Sequence, residues 1–240
     1  MAALRVDIWS DIACPWCYVG KRRFEAALAG FDHRADVEVV WRSFELDPGA
    51  PRERVEAGPY ARRLAAKYRT SEAEAQARID RLVALAAADG LELRFDRIRP
   101  GNTFDGHRLI HLGGAHGRQD AVKERFLRGY FHDGRAIGEP AVVRELAIEA
   151  GLDAGEVDAV LASDRYAAEV RADEGLAREL GISGVPFFVI DRRLGLSGAQ
   201  PVEVLRAALA EGWKTRAATP AATADDEVAD GAACGPDGCA

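Results

Sequence analysis

Polar and apolar residues alternate over Arg5-Val-Asp-Ile-Trp9, the period of a half-buried strand. Ser10-Asp11 then supplies a turn. Pro15 stands where a helix can begin, because its missing N–H has no intrahelical role there. From 16 to 29 the spacing is helical, with Phe24, Ala27 and Leu28 on one face and Gly30 closing the run. Val37-Glu-Val-Val-Trp41-Arg-Ser43 is a second strand, and Asp47-Pro48-Gly49 breaks the chain. Strand, helix and strand within about 45 residues is the size of a βαβ unit.

From about 50 to 181 the period is almost wholly helical. Ser71 and Glu74 make a capping-box pair ahead of a helix in which Ile79, Leu82, Val83 and Ala86 share a face, ending at Gly90. A short extended link over 91–95 leads to further helices at 104–112, 119–132, 141–150, 156–161 and 165–180. Gly151 and Gly181 sit at their C-terminal ends. The period then returns to a strand's: Val185-Pro-Phe-Phe-Val-Ile190 is apolar, Asp191-Arg192 turns the chain, and 193–197 pairs back as a hairpin. A last helix runs from 202 to about 213. Beyond it the chain is rich in Ala, Thr, Asp and Gly, the composition of a flexible tail. These changes of period divide the chain at 1–48, 49–181, 182–213 and 214–240.

Composition narrows the class of function. The 240 residues carry 32 basic and 39 acidic side chains, a formal charge of −7, with no basic cluster, which argues against nucleic acid as the partner. No run approaches the ~20 apolar residues of a membrane span, and the first residues read as a strand rather than a signal peptide. The expected compartment is therefore the cytoplasm. There, four cysteines are a catalytic or metal-binding set rather than a stabilising framework.

Cys14-Pro15-Trp16-Cys17 lies where a strand gives way to a helix. A sulfur at that junction faces the unpaired N–H groups and positive end of the helix, which favour a thiolate. An ordinary cysteine, with a pKa near 8.5, is only about 3% ionised at pH 7, and a drop of ~2 units makes the thiolate the major form. Cys17, one turn deeper, is placed to resolve a mixed disulfide on Cys14. The rival readings are half a zinc site, which lacks nearby ligands, and inert core thiols. Far downstream, Gly184-Val185-Pro186 opens an apolar strand with a proline; a trans proline at a strand edge is the plain reading.

Taken together, Ser10-Asp11 before Cys14-Pro15-Trp16-Cys17-Tyr18, the long helical insertion, and Gly184-Val185-Pro186-Phe187-Phe188 resemble the DsbA-like thioredoxin superfamily. Asn102-Thr103-Phe104-Asp105 with His107-Arg108-Leu109-Ile110-His111 resembles its cytosolic FrnE-like branch. The resemblance spans about 5–213. It implies an α/β fold: a thioredoxin-like core, with a mixed sheet flanked by helices, built from 1–48 and 182–213 and interrupted by an all-helical domain at 49–181. It implies a cis Pro186 facing the Cys14 sulfur, with Pro15, Trp16 and the Val185 backbone receiving an extended substrate. The activity implied is thiol–disulfide oxidoreduction on protein or small-molecule thiols without an organic cofactor or metal, regenerated by glutathione or thioredoxin. Pro-Trp between the cysteines, where the periplasmic oxidants have Pro-His, removes a donor to the thiolate. The couple is therefore expected near the middle of the ~ −120 to −270 mV span. Glutathione-dependent isomerases and transferases share the architecture but carry serine at the first cysteine's position. A holdase with an apolar groove is the reading from another class.

Cys234-Gly-Pro-Asp-Gly-Cys239 has the composition of a tight loop, so a local disulfide is geometrically reasonable. Redox shuttling, metal binding and no role are its three readings. Cys234 stands 21 residues beyond Trp213, an r.m.s. reach of roughly 25 Å. Relatives with a C-terminal cysteine pair are similar, which points to exchange with Cys14–Cys17. His107 and His111, at i and i+4, are read as packing or cleft residues rather than ligands. Trp9 and Trp41 are read as core, and Trp16 as partly exposed beside the sulfur.

Overall fold

The computed structural model describes residues 3–52, 58–216, 232, 234, 235, 238 and 239. Strand β1 (Leu4–Ser10) pairs in parallel with β2 (Val37–Ser43), and helix α1 (Pro15–Ala29) connects them. Much later β3 (Phe187–Ile190) joins the other side of β1 antiparallel, with Ile8 opposite Phe188, and β4 (Leu194–Ser197) pairs with β3. The four-stranded order is β2-β1-β3-β4, a mixed sheet with β1 at its centre. Central position requires apolar residues on both faces, and β1 is buried along nearly its whole length.

Between β2 and β3 the chain is helical: α2 (Tyr60–Tyr68), α3 (Glu72–Ala88), α4 (Phe104–Ala115), α5 (Gln119–Phe131), α6 (Pro140–Glu149), α7 (Ala154–Leu161) and α8 (Ala167–Glu179). The Ser71–Glu74 capping box is present in both directions at the start of α3. Gly151 and Gly181 adopt the positive φ that ends a helix. Helix α9 (Val202–Thr215) runs alongside α1 on one side of the sheet, while α4, α5 and α8 pack toward β2. Among the described residues no helix is long and apolar enough to cross a membrane.

Three local expectations change. The link at 91–95 is irregular rather than extended; its Arg94 N–H bonds to Phe131 rather than to a strand. The hairpin strand starts at Phe187, because Pro186 has no N–H to give the ladder and Val185 turns to a different partner. Part of the tail is ordered: β5 (Cys234–Gly235) pairs antiparallel with β6 (Gly238–Cys239). Most of the acidic tail, 217–231, lies outside the described residues.

Candidate active site

The two cysteines sit at the first turn of α1 as free thiols, both buried. Cys14 is the N-cap, with extended backbone and no side-chain cap, and Pro15 is the first helical residue. The Cys17 N–H bonds to the Cys14 carbonyl at 3.1 Å, which tightens the turn between the two cysteines. Opposite them the Val185–Pro186 peptide is cis, and the Cys14 thiol donates to the Val185 carbonyl oxygen at 3.5 Å. Two glycines permit the approach. A Cβ on Gly20 of α1 would stand 2.8 Å from Pro186 Cγ, and one on Gly184 would stand 3.1 Å from the Cys234 carbonyl oxygen.

That second contact is with the tail. Val185 N–H donates to the Cys234 carbonyl, and Cys234 N–H donates to the Val185 carbonyl, each at 2.6 Å. A further bond from Ala199 N–H to the Ala232 carbonyl, 2.8 Å, continues the contact. Cys234 is fully buried and disulfide-bonded, and its backbone faces Cys239 across the β5–β6 pair. It joins Trp9, Cys14, Cys17, Ala177, Ile182 and Val185 in a small apolar cluster separate from the main core. The sequence-predicted Cys14, Cys17, Val185, Pro186 and Cys234 therefore meet in one place. Trp16 lies half-buried beside them and Pro15 is buried.

This enclosure reverses one expectation. Burial pushes the Cys14 thiol well above the ordinary range, and its hydrogen bond and charge interaction with Cys17 add to the rise. The helix N-terminus is there, but the sulfur is fully buried in one apolar cluster with Cys234 of the tail, so desolvation dominates.

Three buried polar residues, Asp11, His107 and Lys123, cluster near the cysteines, and the cysteine spacing assigns none of them a role. Asp11 is buried in the turn after β1. Its carboxylate accepts from the Leu46 N–H at 2.8 Å, the Ala13 N–H at 3.3 Å and His107 Nε2 at 3.3 Å. Burial works to raise the Asp11 pKa, but the His107 hydrogen bond and charge, the Leu46 amide and the Lys123 charge outweigh it and hold it below the usual range. Burial lowers the His107 pKa, against the pull of Asp11. Lys123 is fully buried on α5, donates to the Ser10 carbonyl at 3.1 Å, and is brought down to about 8 by burial, while Cys17, Asp11 and Cys14 pull the other way. The available signal was a lysine on the apolar face of a helix, among Val122, Phe126 and Leu127.

His111 serves a different joint. Its Nε2 lies 3.0 Å from Asp173 of α8, whose carboxylate also accepts from Arg42 and the Ser43 N–H, while Trp9 Nε1 donates to the Asp173 carbonyl at 2.9 Å. Trp9 and Trp41 are buried. Trp9 belongs to the sulfur cluster, whereas Trp41 lies under the cations of Lys21 and Lys123.

Comparison with known proteins adds three relatives. The sequence model of the family described as DSBA-like thioredoxin domain matches residues 5–210. A probable DsbA oxidoreductase from Streptomyces coelicolor is 54% identical, with a TM-score of 0.84 over 99% of this chain and 98% of that one. The cytosolic disulfide reductase DsbM from Pseudomonas aeruginosa, solved with GSH, is 22% identical at a TM-score of 0.62, covering 88% of this chain and all of its own. The uncharacterized protein YwbO of Bacillus subtilis is 26% identical over 218 residues, 89% of this chain and 99% of that protein.

Proposed function

The chain belongs to the DSBA-like thioredoxin domain family, and from that premise we propose that it is a thiol–disulfide oxidoreductase in which Cys14 is the nucleophile and Cys17 the resolving thiol. The observation that carries the reading is the pair of free thiols at the start of α1, with the Cys14 sulfur held against the Val185 carbonyl beside cis Pro186. A Cys14 thiolate attacks one sulfur of a substrate disulfide, and the other sulfur leaves as a thiolate. Cys17 then attacks Cys14, releasing the second half of the substrate and leaving the Cys14–Cys17 disulfide. Two electrons pass to the substrate; run backward, the same steps oxidise a dithiol. A second cysteine is essential to this cycle and has no task in a glutathione-dependent isomerase.

Val185 is the substrate-strand residue in this reading, with Pro15, Trp16 and Pro186 shaping its surroundings. The buried Asp11–His107–Lys123 set accepts and returns the proton of Cys17 as the disulfide opens and closes; Lys123 and Asp11 are close enough for their charges to act on the cysteines, and His107 is hydrogen-bonded to Asp11. Cys234 and Cys239 form a shuttle pair that exchanges with Cys14–Cys17. The antiparallel bridge from Val185 to Cys234 supports this, since it seats a disulfide-bonded cysteine in the apolar cluster of Cys14. The segments 1–48 and 182–213 carry the reacting groups, 49–181 covers them, and 214–240 brings the second pair. The dithiol is maintained by glutathione or thioredoxin in a reducing cytoplasm, a reading favoured by the GSH-bound cytosolic relative.

Redox titration of purified protein against glutathione, with alkylated thiols counted by mass, tests it. A reversible Cys14–Cys17 bridge of mid-range potential, and trapped mixed disulfides in Cys17→Ser, are expected. No bridge at any potential overturns the assignment. Loss of re-oxidation on deleting 217–240 is expected for the shuttle, and unchanged turnover refutes it.

A further inference from the structure

Pro15 and Trp16, the residues between the cysteines, form one wall of a cavity of about 560 Å³ that opens toward the α2–α3 hairpin. Sequence spacing builds the other walls. Tyr60, Leu64 and Tyr68 fall at i, i+4 and i+8 on α2, and Arg78, Leu82 and Leu85 at i, i+4 and i+7 on α3, so each helix turns one stripe toward the space. The volume lies within the ~300–1,000 Å³ of small-ligand sites, and the lining is aromatic and aliphatic except at Arg78 and Arg81.

Those two guanidinium groups, on the exposed side of α3, form no ion pair among the described residues. Arg78 lies 5.6 Å from the Tyr68 ring. The nearest acidic residue one turn back, Glu74, is committed to Thr70 and Ser71 at the helix cap. Guanidinium groups with no carboxylate at ion-pair distance among the described residues, at the rim of an apolar, ring-lined space, suit a ligand with complementary parts. Aromatic walls favour a flat ring, and a guanidinium fork favours a carboxylate or similar anion. The space adjoins the cysteine pair through its own wall, since Pro15 follows Cys14 directly and Trp16 precedes Cys17.

We propose that this cavity is the acceptor site for a small aromatic disulfide bearing an anionic group, held by Arg78 and Arg81 with its ring against Trp16 and Tyr60 and its sulfur turned to Cys14. This rests on the oxidoreductase reading above and names a substrate class for it. Cys14 attacks the nearer ligand sulfur, forming a Cys14–ligand disulfide and expelling the other half as a thiolate. Cys17 displaces the second half, and the two thiol protons pass to the released thiolates. Glutathione restores the dithiol.

Two measurements test it. In the redox-inactive Cys14→Ser/Cys17→Ser protein, anilinonaphthalene sulfonate titrated by fluorescence is expected to bind saturably. Arg78→Gln/Arg81→Gln is expected to weaken binding about tenfold and Leu82→Trp to abolish it. In the reduced wild type, the rate ratio for dithiobis(nitrobenzoate) over uncharged dithiodipyridine is expected to fall about tenfold in Arg78→Gln/Arg81→Gln, but not in the charge-matched Lys67→Gln/Arg69→Gln. Non-saturable binding, indifference to Leu82→Trp, or an equal fall in the control overturns the proposal. If neither disulfide reacts while arginine-dependent binding persists, the oxidoreductase reading fails and the anion site stands.

Discussion

Val185 and Cys234 exchange two backbone hydrogen bonds of 2.6 Å, and the Val185 carbonyl that accepts one of them also receives the Cys14 thiol. One peptide unit thus holds the tail and the nucleophile together. With Val185 as the substrate-strand residue proposed above, the tail occupies the edge that an extended substrate needs, and the two compete for it.

Removing the tail uncovers the sulfur. Deleting 217–240 is expected to speed alkylation of Cys14 by iodoacetamide at pH 7 by about tenfold or more, because a lowered thiol pKa and lost cover act together. The pH midpoint of alkylation moves down in the same variant, since burial is the largest cause of its elevation. Identical profiles with and without the tail would show that it does not cover Cys14 in solution.

Lys123 is a buried cation whose charge acts on both cysteines. Lys123→Met withdraws that charge, so the Cys14 pKa rises further and the rate of mixed-disulfide formation at pH 7 falls by about threefold for each unit of rise, the lost thiolate fraction being partly offset by greater nucleophilicity. Stopped-flow reaction with dithiodipyridine across pH 6 to 10 reads both effects.

The acid side of the stability curve carries a signature of His107. Burial lowers its folded pKa, so below about 6.5 the unfolded chain binds a proton that the folded chain refuses. Its contribution therefore falls as pH drops through that value, at no more than about 1.4 kcal/mol per pH unit. Glu45, raised to about 7 chiefly by burial, gives a slope of the opposite sign between about 4.5 and 7, so the comparison is between wild type and variant. His107→Gln is expected to lose its share of the acid slope in urea titrations between pH 5 and 7; parallel curves would contradict this.

Gly20→Ala tests the close approach of α1 to the proline. The added methyl would meet Pro186 Cγ, part of a rigid ring, at 2.8 Å. A loss of about 1–3 kcal/mol is expected from overpacking, with slower turnover because the Val185 carbonyl is displaced from Cys14. Thermal melting and single-turnover reduction in the same preparation check both parts.

The layout of the fold was largely legible in the pattern of residues. Alternation in β1, the helical period after Pro15 and the return to strand character near Phe187 mark the elements, because each face buried leaves a periodic trace. The mixed disposition of β3 against β1 came only through the resemblance, since antiparallel pairing leaves no local signature. At the site, Cys14, Cys17 and Pro186 were visible as a motif. Asp11 was visible beside the motif but without a role, and Lys123 was passed over although it stands on the apolar face of α5, because burial of either depends on neighbours distant in sequence. Cys234 was legible as half of a tight loop, but its bridge to Val185 is a backbone contact that side-chain patterns do not encode.

Cys14 and the carbonyl it touches stand 171 residues apart in the chain, and the Trp9–Asp173 bond spans 164. During synthesis, β1, α1 and β2 emerge long before β3, so the central strand waits with one flank open until nearly the whole chain has left the ribosome. Pairings this distant in sequence are slow to form. In the interval Cys14 lacks the Val185 carbonyl that its thiol meets in the folded chain, and Trp9 lacks the Asp173 carbonyl. The order of translation therefore leaves the surroundings of the first cysteine to be completed by segments that emerge last.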